Sequence, residues 1–149
     1  MINLVDIPFA QVSLIKELWE KNRIYHRDIS ENFGDLYDEI SFEERINNLN
    51  IFDEQQLKIT IAEEPISSQI VGYCISTLKE TMGETLTLHV DEKHRNSGIG
   101  KKLMESHINW LKKNGCKTIV ITVAVENYST IEFYKSLGFK ANTLEMRLV

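Results

Sequence analysis

Cysteine, proline and long apolar runs are all scarce in this 149-residue chain, and each scarcity excludes a class of protein. The two cysteines, Cys74 and Cys116, match no metal-ligand or redox spacing, which favours inert thiols in a reducing compartment. No linker, repeat or low-complexity tract divides the chain, so we expect one domain over residues 1–149. The longest nearly uninterrupted apolar run, residues 119–125, is too short to span a bilayer, and the first residues lack the features of a signal peptide. These absences predict a cytoplasmic protein.

Positive charge is also scarce. The formal net charge is −5, and the chain has no basic stripe of the kind that binds nucleic acid. Residues 1–55 hold 12 acids and 5 bases, whereas residues 56–149 hold 10 acids and 12 bases. The second part could hold an anion and the first could lie near a cation, although acidic helices that face water explain most of these charges.

A change of periodicity at Leu57 divides the predicted secondary structure. Before it, apolar residues recur at helical spacing, and Ser41 with Glu44 forms a capping box that begins a second helix. After it, apolar and polar residues alternate as in a meander, with turns at Glu64-Pro65 and Met82-Gly83. In chain order, the predicted elements are a strand at residues 2–5, a helix at 9–27, a helix from 41, strands at 57–61, 69–78 and 84–91, a helix at 99–114, a strand buried on both faces at 117–125, a helix at 129–137 and a strand pair at 139–149. This order describes a mixed α/β sheet.

The segment RNSGIG, residues 95–100, connects a predicted strand to a predicted helix. The first N–H groups of a helix have no intrahelical partner, and the helix dipole adds about half a positive charge there, so a phosphate is stabilised at this point. Gly98 and Gly100 let the backbone approach closely, and Arg95, Lys101 and Lys102 add positive charge. Taken alone, the glycines fit a tight strand-to-helix turn equally well.

Two nucleotide-binding motifs are excluded at this loop. A P-loop requires glycine where Arg95 stands and serine or threonine where Lys102 stands. A Rossmann fingerprint requires a third glycine where Leu103 stands, and we expect no parallel β-α-β unit around the loop. The predicted anion site therefore belongs to neither class.

Two segments instead resemble the GNAT family of N-acetyltransferases. LHVDEKHRNSGIGKKLM, residues 88–104, is similar to the R-x-x-G-x-G motif with which that family binds the pyrophosphate of acetyl-coenzyme A (acetyl-CoA). VAVENYSTIEFYKSLGFK, residues 123–140, is similar to a second motif whose asparagine contacts the cofactor and whose tyrosine lies near the thioester sulfur; here these are Asn127 and Tyr134. The resemblance implies a twisted, mostly antiparallel sheet of about six to seven strands, splayed between strands four and five and flanked by about four helices.

The resemblance also implies a cofactor site. Pantetheine would pair with the backbone of Leu88, His89 and Val90 as an added strand does, and an N–H there could polarise the thioester carbonyl; an uninterrupted ladder that fills those donors is the alternative. No metal is implied, and because His89 and His94 lack a third ligand, we expect both to face solvent or to pair with nearby acids. The residues implied to bind acetyl-CoA are Leu88, His89, Val90, Arg95, Asn96, Ser97, Gly98, Ile99, Gly100, Lys101, Asn127 and Tyr134.

Acetyl transfer to an amine needs a base, because deprotonating a lysine-like amine at pH 7 costs about 4 to 5 kcal/mol. Glu84 stands eleven residues before Arg95, where the histone-acetylating members of the family keep a catalytic glutamate, and should share a strand face with Leu86 and Leu88. A solvated carboxylate at a strand start is the alternative. Tyr134 would protonate the departing thiolate, and a core tyrosine is the alternative there.

The acceptor is suggested by composition alone. Acidic and aromatic residues cluster between the first two helices, which suits a cationic acceptor such as a polyamine, an aminoglycoside or a protein amino group, although surface helices also carry such residues without any ligand. The members of this cluster are Tyr25, His26, Asp28, Glu31, Asp35 and Tyr37. We therefore predict an N-acetyltransferase that transfers the acetyl group to a primary amine by direct attack through a ternary complex. The alternative is a noncatalytic acyl-CoA-binding sensor or interaction module, and residues 139–149 could pair two copies of the chain as a homodimer.

Overall fold

The computed structural model of the protein describes residues 1–148. The strands in this range are β1 (Asn3–Asp6), β2 (Leu57–Glu63), β3 (Ile70–Lys79), β4 (Met82–Val90) and β5 (Thr118–Ile121). The α-helices are α1 (Lys16–Ile29), α2 (Gly34–Asp38), α3 (Phe42–Asn47), α4 (Ile99–Lys113) and α5 (Tyr128–Ser136). Short 3₁₀ segments lie at Phe9–Ile15, Asn48–Ile51, Glu54–Gln56 and Glu92–His94. Over the described range, the helices are too short or too polar to cross a membrane.

The five strands form one sheet in chain order, with antiparallel neighbours except for the parallel pair of β4 and β5. A parallel pair requires a crossover connection, and α4 supplies it. The expectation that no parallel β-α-β unit surrounds the loop at residues 95–100 was therefore wrong. Leu103, in the place of the third glycine, is what excludes the Rossmann fingerprint.

Helices cover both faces of the sheet and enclose two apolar cores. The first core lies on the face of α1 and α3, and its buried residues are Val12, Ile15, Leu18, Trp19, Phe42, Leu49, Ile59, Ile61, Tyr73 and Ile75. The second core lies on the face of α4 and α5, and its buried residues are Ala62, Val71, Cys74, Ile99, Leu103, Met104 and Tyr134. Both cysteines are free thiols, and Cys74 is buried whereas Cys116 is partly exposed.

A β-bulge in β4 lies where β4 and β5 separate. Thr85 and Thr87 pair with consecutive residues of β3, so Leu86 between them has no partner there. β5 pairs with β4 only over residues 82–85. Residues 86–90 therefore border β3 on one side and an open edge on the other. The predicted mixed α/β fold, with a mostly antiparallel sheet that splays between its fourth and fifth strands, is confirmed.

The end of the chain differs from the prediction. Residues 139–148, expected within a final strand pair, belong to no strand, and Val149 lies outside the described residues. The described sheet accordingly has five strands instead of six or seven. β5, which covers only part of the predicted strand at 117–125, is an edge strand, and its alternate residues are exposed. One of its faces is exposed, so the predicted burial on both faces was wrong.

Gly83 lies inside β4 and not in a turn with Met82 as predicted. The hairpin turn is at Glu80 and Thr81, and Glu80 has a left-handed φ of 56°. A Cβ on Gly83 would lie 2.7 Å from the Leu111 Cδ2 atom. The glycine is needed because α4 packs closely against this strand, not because the chain turns there.

The N-terminal half is more broken than its periodicity predicts. Residues 9–27 were expected to form one helix, but a 3₁₀ segment precedes α1. Of the predicted capping box, the Ser41 half is confirmed, because its hydroxyl accepts a hydrogen bond from the Glu44 backbone N–H at 3.1 Å. The reciprocal bond from the Ser41 backbone N–H to the Glu44 side chain is absent among the described residues. Helix α2 was not predicted, since five residues are too few to show a helical period.

His107 of α4 is fully buried within a chain of hydroxyl hydrogen bonds on the second-core face. The Thr60 hydroxyl donates to the Asp6 carboxylate at 2.6 Å, so its oxygen accepts from His107 Nε2 at 2.8 Å. His107 Nδ1 then accepts from the Ser76 hydroxyl at 2.7 Å, and the Ser76 oxygen accepts from the Thr85 hydroxyl at 2.9 Å. Burial lowers the pKa of His107 from 6.5 to about 3, so the ring is neutral at pH 7.

Candidate functional site

The loop before α4 presents unused backbone donors to solvent. Asn96 and Gly98 have left-handed φ values of 64° and 85°, and α4 begins immediately afterwards at Ile99. No side chain of residues 1–148 caps this helix, so the N–H groups of its first turn are free to bind an anion. A Cβ on Gly98 would meet no described atom within 4 Å, so the space beside these donors is open.

Arg95 is held at the end of β4. Its Nε donates to the Val90 carbonyl oxygen at 3.0 Å, and its guanidinium carbon lies 5.5 Å from the centre of the Tyr25 ring. The sequence predicted a mobile positive charge for a phosphate at this position. In the structure, these two contacts hold the exposed guanidinium between the end of β4 and α1.

The other predicted side chains of the loop have separate roles. The Ser97 hydroxyl donates to the His94 carbonyl oxygen, which holds the loop against the preceding 3₁₀ segment. Lys101 is exposed in the first turn of α4 and can neutralise an anion there. A Cβ on Gly100 would lie 3.5 Å from the Phe133 ring, an ordinary contact, so this position faces α5.

Leu88, His89 and Val90 lie along the open edge of β4. Each pairs with a residue of β3, and none pairs with β5. Leu88 and Val90 contact the second core, whereas the His89 ring lies on the opposite face, 6.3 Å from the Tyr73 ring. On the side away from β3, this backbone can accept an extended ligand as an additional strand.

The two histidines of this region differ. His89 was expected to face solvent or an acid, but only 6% of it is exposed, because α1 covers this end of β4. Burial and the nearby charge of Arg95 lower the pKa of His89 from 6.5 to about 4. His94 does pair with an acid, because its Nε2 lies 2.7 Å from Glu64 Oε1. Among residues 1–148, no three metal-ligating side chains converge on one point.

Asn127 lies at the start of α5, on the far side of the open edge from β4. It is 4% exposed, and its backbone carbonyl accepts a hydrogen bond from the Ile131 N–H at 3.1 Å. Its side-chain Oδ1 accepts a hydrogen bond from the Tyr25 hydroxyl at 3.4 Å. Tyr25 of α1 therefore contacts both segments that the sequence motifs identified.

Tyr134 is buried in the second core, where 7% of it is exposed. Its ring lies 5.2 Å from that of Phe133 and 5.7 Å from that of Phe139. Burial raises the pKa of the Tyr134 hydroxyl, which keeps it protonated at neutral pH. Leu88 and Val90 contact the same core, so the structure brings Tyr134 together with the open edge.

Glu84 is half-buried in the part of β4 that pairs with both β3 and β5. The prediction that it shares a face with Leu86 and Leu88 is correct only for Leu86, which contacts the first core. Leu88 contacts the second core, because the bulge at Leu86 resets the alternation of side chains. Glu84 and Tyr134 thus lie on opposite faces of the sheet, and the structure does not bring them into contact.

The aromatic residues between α1 and α2 form a stack next to Asn127. The His26 ring lies edge-on to Tyr25 at 5.6 Å and is stacked on Tyr37 at 5.7 Å. Glu126 Oε2 accepts a hydrogen bond from the Glu31 backbone N–H at 2.9 Å, which joins the segment before α5 to the end of α1. The sequence missed Glu126, although it precedes Asn127 within the second motif. The other predicted members, Asp28 and Asp35, are exposed.

Comparison with known families and sequences adds to this geometry. The sequence model of the acetyltransferase (GNAT) family matches residues 16–139. An uncharacterized N-acetyltransferase, MJ1207, of Methanocaldococcus jannaschii is 40% identical over 62 residues, which are 42% of this chain and 27% of that protein. The [ribosomal protein bS18]-alanine N-acetyltransferase of Escherichia coli K12 is 27% identical over 78 residues, 52% of this chain and 53% of that one. The chain thus spans between about a quarter and about half of these relatives.

Comparison with solved structures concerns the fold. A tetramutant of the BH1408 protein from Bacillus halodurans superposes with a TM-score of 0.78 over 99% of both chains, at 19% identity. At this identity the likeness extends to the arrangement of helices and strands. It covers the whole sheet, including the region where β4 and β5 separate.

Proposed function

Because this chain belongs to the acetyltransferase (GNAT) family, we propose that it transfers the acetyl group of acetyl-CoA to the primary amine of a small cationic molecule or a protein. The transfer occurs by direct attack of the amine in a ternary complex. The observation that carries the proposal is the open edge of β4 at residues 86–90, which ends at the uncapped start of α4. An extended chain that terminates in phosphates fits this combination.

The described residues suit acetyl-CoA as the donor. The free N–H groups in the first turn of α4 and the exposed Lys101 suit its pyrophosphate. The backbone of Leu88, His89 and Val90 suits the amides of pantetheine, which can pair as a strand does. The proposed donor site consists of these residues and of Arg95, Asn96, Ser97, Gly98, Ile99, Gly100, Asn127 and Tyr134.

Two side chains supply the proton transfers in this proposal. Glu84 accepts the proton of the amine, directly or through a water molecule, from the face of the sheet that α1 covers. Tyr134, whose hydroxyl is protonated at neutral pH, donates its proton to the thiolate of coenzyme A from the opposite face. The position of the two groups on opposite faces suits a thioester that lies in the gap between β4 and β5.

The acceptor site is proposed at the stack of Tyr25, His26 and Tyr37. Aromatic faces attract cations, and Glu126 and Glu31 add negative charge or backbone contacts beside the stack. A polyamine, an aminoglycoside or a protein amino group has the matching charge.

A thiol-release assay tests the activity. Acetyl-CoA is offered with spermidine, an aminoglycoside, a lysine peptide and a peptide with an N-terminal alanine, while isothermal titration calorimetry measures acetyl-CoA binding. Release of coenzyme A with at least one amine is expected. Binding of acetyl-CoA without release for any amine would favour the alternative, a noncatalytic acyl-CoA-binding module.

Two pairs of variants test the roles of the side chains. Tyr134→Phe and Glu84→Gln should each lower kcat by about 100-fold, the usual size of a lost general acid or base. Tyr128→Phe, on the exposed start of the same helix, and Glu80→Gln, in the exposed hairpin turn, are the matched controls and should leave kcat unchanged. Unchanged turnover in Tyr134→Phe would refute the proton-donor role.

A further inference from the structure

Tyr25 of α1 contacts Asn127 at the start of α5 and Arg95 after the end of β4. Its hydroxyl donates to Asn127 Oδ1 at 3.4 Å, at the start of α5. Its ring lies 5.5 Å from the guanidinium carbon of Arg95, which in turn donates to the Val90 carbonyl oxygen at 3.0 Å. The end of β4 and the start of α5 are thus linked through one tyrosine.

The contact with Tyr25 selects an orientation for the Asn127 amide. An asparagine side chain has an acceptor oxygen and a donor NH₂ group at opposite corners of one plane. When Oδ1 accepts from the Tyr25 hydroxyl, Nδ2 points to the other side. Within residues 1–148, Oδ1 takes part in a side-chain hydrogen bond, whereas no described group accepts from Nδ2. The donors of the NH₂ group are therefore unused by the described residues.

We propose that Tyr25 is a positioning residue for acetyl-CoA: its hydroxyl orients the Asn127 NH₂ group toward a carbonyl of the ligand, and its ring holds Arg95 at the end of β4. This inference rests on the proposed function. The 3.4 Å contact is long for an O–H···O hydrogen bond. It should shorten when a ligand carbonyl accepts from Nδ2, because hydrogen bonds in a chain polarise one another.

The arrangement predicts which part of Tyr25 matters for which contact. Removal of the hydroxyl alone, in Tyr25→Phe, leaves the ring beside Arg95 and releases the Asn127 amide to rotate. One neutral hydrogen bond changes an equilibrium by about 3- to 10-fold, so the Kd of acetyl-CoA should rise by about that factor. The KM for acetyl-CoA should rise in parallel with the Kd. The binding measurement carries the test, because the Tyr25 ring also belongs to the proposed acceptor site and turnover reflects both sites. Tyr25→Leu also removes the ring and should weaken binding further.

The experiment is a double-mutant cycle. The Kd of acetyl-CoA is measured by isothermal titration calorimetry for the wild type, Tyr25→Phe, Asn127→Ala and the double variant, and melting temperature verifies folding. Tyr128→Phe, a tyrosine that is 73% exposed, is the matched control and should bind as the wild type does. Tyr25→Phe should weaken binding in the wild type and have no effect in the Asn127→Ala background.

The outcomes separate this inference from the proposed function. If Asn127→Ala binds acetyl-CoA as tightly as the wild type, the assignment of Asn127 to the donor site is wrong, and the inference is overturned with it. If Asn127→Ala weakens binding but Tyr25→Phe does not, or if their effects simply multiply in the double variant, Tyr25 does not orient Asn127 and the proposed function still stands.

Discussion

Acidification should destabilise this protein through His107, and His107→Gln should remove much of that effect. The ring is fully buried, and burial, followed by the charge of Lys58, lowers its pKa from 6.5 to about 3 in the folded state. A folded-state pKa below the unfolded one means that the neutral ring contributes stability above pH 6.5. This stability is lost as the pH falls from about 6.5 toward 3, because the unfolded chain binds the proton more readily.

The expected magnitude follows from the two pKa values. At pH 4.5 the folded ring is still neutral and the unfolded ring is charged, so the free energy of unfolding falls by about 3 kcal/mol relative to pH 7. His89, whose pKa is lowered to about 4, acts in the same direction and adds about 2 kcal/mol over the same interval. The sum is a large part of the roughly 5 to 15 kcal/mol that stabilises a typical domain.

Urea denaturation at pH 7.0 and pH 4.5, followed by the fluorescence of the buried Trp19, measures this loss. Glutamine can donate and accept in place of His107 but does not titrate, so His107→Gln should lose about half as much stability between the two pH values as the wild type. It should be less stable than the wild type at pH 7, because its hydrogen bonds to Thr60 and Ser76 fit less well. His89→Gln should remove the other half. Equal losses in the wild type and His107→Gln would refute the reasoning.

Three further experiments test the loop before α4, the packing at Gly83 and the helix cap at Ser41. Gly98→Ala and Gly115→Ala should each lower the free energy of unfolding by about 1 kcal/mol, because both glycines have a left-handed φ, 85° and 86°, and open space around them. Only Gly98→Ala should also weaken acetyl-CoA binding, measured by calorimetry. Equal binding in both variants would contradict an anion site at α4. Gly83→Ala should lower the free energy of unfolding by about 1 to 3 kcal/mol, because the added methyl group would overlap with Leu111. The loss should be smaller when Leu111→Ala is present as well. Additive losses would show that the overlap is not the cause. Ser41→Ala should cost about 1 kcal/mol in urea denaturation, and no loss would mean that its cap contributes nothing.

The sequence predicted features whose causes are local. The alternation in β2 and β3, the cap at Ser41 and the start of α4 after RNSGIG follow from residues within a few positions of each other, and the structure has them at nearly the predicted places. The family resemblance over residues 84–139 also depends on short motifs, and the match of the family model to residues 16–139 confirms it. Such features can be predicted from a sequence because backbone preferences and the periodicity of apolar side chains depend on residues that are one or two turns apart.

The relation between distant segments could not be predicted in this way. The bulge at Leu86, which reverses the face of Leu88 relative to Glu84, depends on the register with β3. His89 is buried because α1 covers the end of β4, and residues 139–148 form no strand although a final strand pair was predicted there.

The sequence by itself determined that a glycine-containing loop connects a strand to a helix at residues 95–100, and the family that the motifs there resemble. Only the tertiary structure decided where β4 and β5 separate, at the bulge, and that Tyr25 contacts Asn127, 102 residues later. The physical reason is that a contact between distant segments depends on the strand register and the helix packing of the whole chain. A local pattern of residues does not specify either of them.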